Sequence, residues 1–391
     1  MTTARRTEIG LIYEGVDISA DLRPHLLDLS YTDTLGGESD DVQITIEDSA
    51  AIWSTEWRPE EGDTHTAWID APSDIAGDVR RLDIGRVRVD EIDESGPPSA
   101  VRIKAVSAGL SVGLARTRRS RAWREASLQV IAEDIAARAG LRLVFAAPDP
   151  AYRRRNPPRP APPPARPAQT PAEQAQLADR YGAEILARAA ATPKARGGPR
   201  YDRVDQRSET DLIFLRRLCG DYGLTLKVTD GAIAIFLESD LESAPPLARY
   251  RLGQEAIIRY HVTRSSADRY ESCTVRYRDP VSGRMYEATH PAPARGEQPA
   301  EPNLAVTRRV ESQGDAEQLA ADMLRDRNAR GQTGTLLLAG DPALYAGATI
   351  DVEARTMTGR YLVTRAGHST GGGYTTTLSV RRILDADGRP A

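Results

Sequence analysis

The chain has 391 residues, 40% of them hydrophobic and 28% charged, which suits two or three domains with a sizeable buried core. Its 52 Lys and Arg against 56 Asp and Glu leave a net charge of −4, arguing against a surface that tracks nucleic acid throughout while permitting a local basic patch. No stretch reaches the roughly 18 apolar residues of a membrane helix, and the opening Met1-Thr-Thr-Ala-Arg-Arg-Thr7 lacks the apolar core of a secretory signal, so folding in a cytoplasm without membrane insertion is expected.

From Ile9 to about Ser111 the pattern is that of short strands. Ile9, Leu11 and Tyr13 alternate, and Glu14-Gly15 supplies a turn before Val16-Asp-Ile18. Val42, Ile44 and Ile46 alternate with polar residues, and further runs are Thr66–Ile69, Arg86–Ile92 and Val101–Val106. Turn residues separate them at Gly62-Asp63, Gly77-Asp78 and Gly96-Pro97-Pro98, as in a small barrel or sandwich.

The period then changes. Leu128, Ile131, Ile135 and Ala139 share a helical face that Gly140 ends, and Leu141, Leu143 and Phe145 alternate as a strand. A similar unit returns at Ser208-Glu-Thr-Asp211, which has the spacing of a capping box. Leu212, Leu215, Leu218, Cys219 and Tyr222 line one face, Gly223 stops the helix, and Leu224, Leu226 and Val228 alternate; Asp230-Gly231 then turns the chain into Ile233–Leu237. The two loosely similar units leave internal duplication open.

Between them, ten of the 26 prolines fall from Pro148 to Pro171, interleaved with alanines and five arginines. That composition favours an extended, ladder-free linker or projecting loop, with a short Ala-rich helix expected at Glu173–Ala191. After Pro245-Pro246 strands resume at Ile257–Val262, Ser272–Tyr277 and Arg284–Ala288. Ser312-Gln-Gly-Asp315 opens a helix whose stripe is Ala316, Leu319, Ala320, Met323 and Leu324. Thr335–Leu338, Thr349–Val352, Tyr361–Thr364 and Tyr374–Val380 follow, with Gly371-Gly372-Gly373 as the last turn.

The expected fold is therefore mainly β with an α+β component: two small β-barrel domains flank a central α/β module that carries a long Pro/Arg-rich insertion. The boundaries are 1–115 for the N-terminal barrel, 116–147 and 201–245 for the module, 148–200 for the insertion, and 246–391 for the C-terminal barrel.

Motifs for chemistry are sparse. Gly367-His-Ser-Thr-Gly371 matches G-x-S-x-G, but a nucleophile elbow needs a strand–turn–helix context and partners later in the chain. Ser369 lies between two strands, and no histidine follows it, the five being His25, His65, His261, His290 and His368. Glu38, Asp40 and Asp41 lack the ligand spacing of a calcium loop and read as a solvated turn. The histidines are scattered singly, without zinc spacing, and acid pairs such as Asp90 and Asp93 carry little weight among 56 acids. No P-loop or dinucleotide fingerprint occurs. Cys219 and Cys273 read as buried reduced thiols. No catalytic, cofactor-binding or metal-binding residue is assigned, and no cofactor is expected.

The densest basic run is Arg116, Arg118, Arg119, Arg121 and Arg124, with Trp123 among them. It has the makings of a phosphate grip with a stacking face. Lysine occurs only at positions 104, 194 and 227, so arginine is the general basic residue here, and the run reads in preference as an exposed loop entering the helix near Ser127.

Several stretches resemble phage late-control D proteins, the hub proteins of contractile tail baseplates, and the hub part of type VI secretion spike proteins. They are Tyr13–Ser19, Leu29–Asp33, Asp41–Asp48, Ser120–Trp123 with Ser127–Ala136, and above all Ser208–Leu224. Gly340-Asp-Pro, Ala346-Gly, and Gly359–Thr364 with His368 agree in order and spacing. The resemblance covers most of the chain outside about Pro148–Arg200, and no spike or lysozyme-like part follows Val380.

The resemblance implies a non-enzymatic virion component, a homotrimer whose paired barrels form a pseudo-sixfold ring between the sixfold tail tube and a trimeric spike, with a channel for DNA passage. Its implied partners are the spike, tail tube, tape-measure and baseplate wedge proteins, with no specific DNA binding and assembly in the host cytoplasm. The alternatives are a hub of a type VI or extracellular contractile injection system and, with less support, a tail-associated peptidoglycan hydrolase. The absence of an appended spike favours the phage arrangement.

Overall fold

The computed structural model describes residues 7–36, 39–72, 79–107, 112–146, 198–229, 231–253, 256–266, 269–280, 282–291 and 302–384. Nearly all of the Pro/Arg-rich insertion, with the helix expected at Glu173–Ala191, lies outside them, as do Glu38, Gly77-Asp78 and Asp230. The architecture is mainly β, in agreement with the sequence.

The N-terminal strands are β1 (Glu8–Tyr13), β2 (Val16–Asp17), β3 (Leu26–Thr34), β4 (Asp41–Glu47), β5 (Thr64–Pro72), β6 (Val79–Ser95) and β7 (Ala100–Ser107), with a one-turn helix α1 (Ser19–Leu22) after β2. Alternation sets their inner face: Val42, Ile44 and Ile46 of β4 are buried with Ala67 and Ile69 of β5. Alternation does not announce β3, because its Leu29-Ser-Tyr-Thr-Asp33 interior is largely polar. Gly10 on β1 is required by packing, since a Cβ there would lie 1.9 Å from the Trp68 indole.

The C-terminal strands β13 (Ala248–Arg251), β14 (Ile257–Arg264), β18 (Gln332–Ala339), β19 (Thr349–Glu353), β20 (Thr358–Ser369) and β21 (Thr375–Arg382) surround a core that includes Leu336, Ile350, Tyr361, Val363 and Leu378. The ladders do not close into two separate barrels. One 13-stranded sheet runs β14-β18-β21-β20-β3-β4-β7-β6-β5-β1-β2, with β19 and β13 branching from β20. The reason is the length of β20: Thr358–Leu362 pair with β19, the register shifts between Val363 and Arg365, and Arg365–Ser369 pair with β3.

A second departure lies between β14 and β18. The expected strands at Ser272–Tyr277 and Arg284–Ala288 exist as β15 (Ser272–Arg278) and β16 (Met285–Pro291), but they form their own sheet with β17 (Asn303–Val306). Alternation announces a strand and says nothing of its partner. The long helix at Gln313–Ala329 covers that sheet with its stripe of Ala316, Leu319, Ala320, Met323 and Leu324, and Ser312 caps it by accepting from Asp315 N at 3.2 Å.

In the centre, β8 (Arg118–Ser127) and β10 (Arg200–Thr210) form an antiparallel ribbon, and β9 (Arg142–Phe145), β12 (Ala232–Phe236) and β11 (Thr225–Thr229) form a small sheet. A one-turn helix α2 (Val112–Ala115) precedes the ribbon. Helix α3 (Leu128–Ala139) follows β8, and α4 (Asp211–Gly220) follows β10. Each helix is capped by the last residue of its ribbon strand: Ser127 Oγ accepts from Val130 N and Thr210 Oγ1 from Ile213 N, both at 3.3 Å. The two halves therefore share a strand–helix–strand plan. Gly140 ends α3 with φ +70°, a conformation that suits glycine.

The structure departs from two expectations of the sequence. The Arg116–Arg124 run is not a loop, because most of it is strand β8. Ser208 is not the helix cap: pairing of Glu209 and Thr210 with Arg119 and Arg118 holds the chain extended through Thr210, so the helix starts only at Asp211. The apolar face is as expected with Phe214 added, buried beside Leu215, Leu218 and Cys219. α5 (Glu238–Glu242) follows β12, and the Gln313–Ala329 helix is α6.

Candidate functional site

The most heavily built polar feature is the place where the three parts of the chain meet. Its apolar floor combines Leu35 after β3, Val144, Ala146, Ala234 and Phe236 of the central sheet, and Ala346, Leu362 and Ile383 of the C-terminal part. Above it, Lys227 on β11 reaches across to β3. Its ammonium donates to Asp33 and to the Thr34 carbonyl at 3.1 Å, and lies 3.7 Å from Asp40. Asp33 also accepts from Ala346 N at 2.8 Å, while Asp40 accepts from Thr34 N at 3.0 Å.

Lys227 and Asp33 are each only 4% exposed at the side chain. Burial works against the Lys227 charge, but the Asp33 and Asp40 carboxylates prevail and raise its pKa. Burial pushes the Asp40 carboxyl up, with Lys227 opposing. Asp40 is therefore not in a solvated turn, as the sequence suggested, but part of a three-way latch. A lone lysine in an Arg-biased chain was the available signal.

A second network holds the other side of the junction. Arg381 on β21 donates to Glu238 at 2.7 and 2.9 Å and pairs with Glu242 at 2.7 Å. Arg325 of α6 bonds Glu242 and the Leu384 carbonyl. Burial opposes ionisation of Glu238, and Arg381 more than offsets it, lowering its pKa. The G-x-S-x-G segment also serves the junction. Asp28 on β3 accepts from Ser369 Oγ at 3.1 Å, Thr370 N at 3.1 Å and Gly371 N at 2.6 Å. Ser369 ends a strand in a hairpin.

His368 points elsewhere, as alternation requires of a neighbour on the same strand. Its Nε2 lies 3.0 Å from the Leu344 carbonyl, which can only accept, so Nδ1 is the acceptor facing the Tyr374 hydroxyl at 2.9 Å. Burial brings its pKa down to about 4. His65 is also buried and lowered to about 4, with neither ring nitrogen bonded among the described residues. Among the described residues no group of His, Cys, Asp or Glu is arranged to hold a metal ion. Burial raises both thiols, Cys273 to about 11.

The arginine run is sorted by strand alternation. Arg119 and Arg121 turn toward the helices, 3.5 Å from Asp211 and 3.8 Å from Asp134, and Trp123 stacks on Phe214 with centroids 5.1 Å apart. Arg118 and Arg124 are exposed on the other face. Asp90 pairs with Arg116, and Asp93 lies 3.6 Å from Lys104, so these acids are ordinary partners of surface cations. Asp41 heads β4.

The fold so described is that of phage tail proteins. No protein-family model matches the sequence, and no curated protein does. Among solved structures, the 43 kDa tail protein of prophage MuSo2 from Shewanella oneidensis aligns over 98% of this chain and 99% of its own, with TM-score 0.61 and 14% identity. The tail protein of Neisseria meningitidis MC58 gives the same coverage and TM-score at 11% identity. The Escherichia coli c3393 protein, a component of the type VI secretion system, aligns over 94% of this chain and 76% of its own at TM-score 0.51 and 14% identity. The chain thus shares a fold with tail and type VI proteins, in agreement with the resemblance read from its residues.

Proposed function

We propose that the protein is the baseplate hub of a contractile phage tail: a homotrimer whose ring adapts the sixfold tube to a trimeric spike and leaves a channel for DNA. The observation that carries this reading is end-to-end correspondence with two tail proteins at TM-score 0.61 despite 14% and 11% identity. The junction supports it, because a ring component must transmit load between its parts without opening, and buried ion pairs add directional constraint to apolar packing. The type VI reading has the lower TM-score of 0.51.

In this reading the protein is not a hydrolase, and Ser369 is a hairpin residue. Its partners are the spike, the tail tube, the tape-measure and the wedge proteins, and its place is the virion after assembly in the host cytoplasm. Sedimentation of the purified full-length chain and averaged images of particles containing it test the proposal. Three copies about one axis at the tail tip are expected; a monomer or dimer in the assembled particle refutes it. Ser369→Ala is expected to leave infectivity intact, and loss of a measurable muralytic activity in that variant would restore the hydrolase alternative.

A further inference from the structure

The β8–β10 ribbon carries exposed cations that the fold does not use. Arg118, Arg124 and Arg200 are exposed, and among the described residues none has a side-chain ion pair or hydrogen bond. Arg124 stands directly opposite Arg203 in the ladder, an arrangement that costs stability in an isolated ribbon. Two of the four described non-glycine residues with positive φ, Glu125 at 49° and Ser208 at 50°, also lie on this ribbon, and strain of that kind persists where the surroundings impose it.

A complementary surface occurs on the same chain. The segment between β4 and β5 exposes Glu56, Glu60 and Glu61, again without ion-pair partners among the described residues. Beside them Trp57 is 45% exposed, edge-on to the buried Trp53 at 5.6 Å. Arg58 in this segment is turned to Glu94 at 3.5 Å, which leaves the three glutamates as the outward charge. No hydrogen bond or ion pair among the described residues joins this loop to the ribbon within one chain.

We infer that the ribbon of one copy docks its arginines on the glutamate loop of the next copy around the ring. The inference rests on the trimeric reading above and names the surfaces it would use. A closed ring with one kind of contact requires two different patches on each chain that fit one another. Guanidinium forks match carboxylates in pairs, and an exposed indole offers a further seat for a guanidinium. Nucleic acid is the poorer occupant. Asp202 and Asp205 lie between the arginines of β10 and Glu209 follows them, so a phosphate backbone laid along the ribbon would meet carboxylates as well as cations.

Sedimentation equilibrium of the full-length chain tests this at low and moderate salt, with circular dichroism as the control for folding. Arg118→Glu/Arg124→Glu/Arg200→Glu and Glu56→Arg/Glu60→Arg/Glu61→Arg are each expected to raise the concentration for half-assembly by about tenfold or more. The chain carrying all six reversals is expected to assemble like the wild type. If the wild type is trimeric and both triple variants match it, or if the six reversals fail to restore assembly, the docking is refuted and the trimer stands. A wild type that stays monomeric at every concentration removes both. If the arginine variant loses only binding to short duplex DNA, with its assembly unchanged, the ribbon serves nucleic acid instead and the inference is overturned.

Discussion

Lys227→Met removes the cation of the latch while keeping most of the side-chain volume. Lys227 and Asp33 are each 4% exposed, and the ammonium also holds the Thr34 carbonyl at 3.1 Å and sits 3.7 Å from Asp40. Breaking such a buried pair from one side costs about 3–5 kcal/mol, a large share of the roughly 5–15 kcal/mol that holds a domain folded. Without the ammonium, the Asp40 carboxyl, which burial pushes up and Lys227 holds down, is expected to titrate higher still in the folded state than in the unfolded chain. An acid whose folded pKa is raised loses stability as pH climbs from its unfolded to its folded pKa, so the variant should suffer less near about pH 5 than near about pH 8. Urea melts followed by tryptophan fluorescence and circular dichroism at the two pH values measure this. Because Lys227 ties β11 to β3, separation of the single transition into two is also expected. A cost below about 1 kcal/mol, or a larger cost at low pH, would refute the assignment of the latch as a buried and necessary ion pair.

Leu215→Asp should prevent folding, since Leu215 is fully buried on α4 and an unpaired carboxylate there costs several kcal/mol; soluble expression with a native melt would place that helix face outside the core. His65 and His368, both lowered to about 4 by burial, should make the protein lose stability as pH falls from about 6.5 to about 4, because the unfolded chain takes up protons that the folded one refuses. A shift of that size corresponds to about 3 kcal/mol for each, and His65→Phe should flatten the acid limb of the stability curve; an unchanged limb would show that the ring is not held neutral. Replacing residues 147–197 by a six-residue Gly-Ser link should leave the chain folded and, through easier loop closure, more stable by about 2 kcal/mol. The two ends already meet, since a Cβ on Gly198 would lie 2.7 Å from the Phe145 ring. Failure of that variant to fold would make the segment part of the core, and weakened incorporation into particles with folding intact would make it an assembly arm.

Local periodicity was sufficient for most individual elements. The alternation of Val42, Ile44 and Ile46, the stripe from Ala316 to Leu324, the Ser312 cap and the Gly140 stop each depend on residues within a few positions of one another, and the structure places them as the spacing implies. The mainly-β class follows from the same signals. The Ser208 cap fails because the competing choice is tertiary: pairing of β10 with β8, whose sequences lie some 80 residues apart, keeps Glu209 and Thr210 extended until Thr210 can cap. The arginine run was legible as charge but not as a two-faced strand, for the same reason.

Only the tertiary structure decided which strands pair with which. Joining β20 to β3 brings together residues more than 300 positions apart, and nothing in either strand's own pattern specifies the other. Asp33, Asp40 and Lys227 look like unrelated surface charges along the chain. They become a buried latch because the shared β20 draws the N-terminal strands, the central sheet and the Ala346 loop to one point, where a charge cannot remain without a partner. Residue type sets what each position can do, and burial, which depends on the whole fold, sets which of those capacities is used.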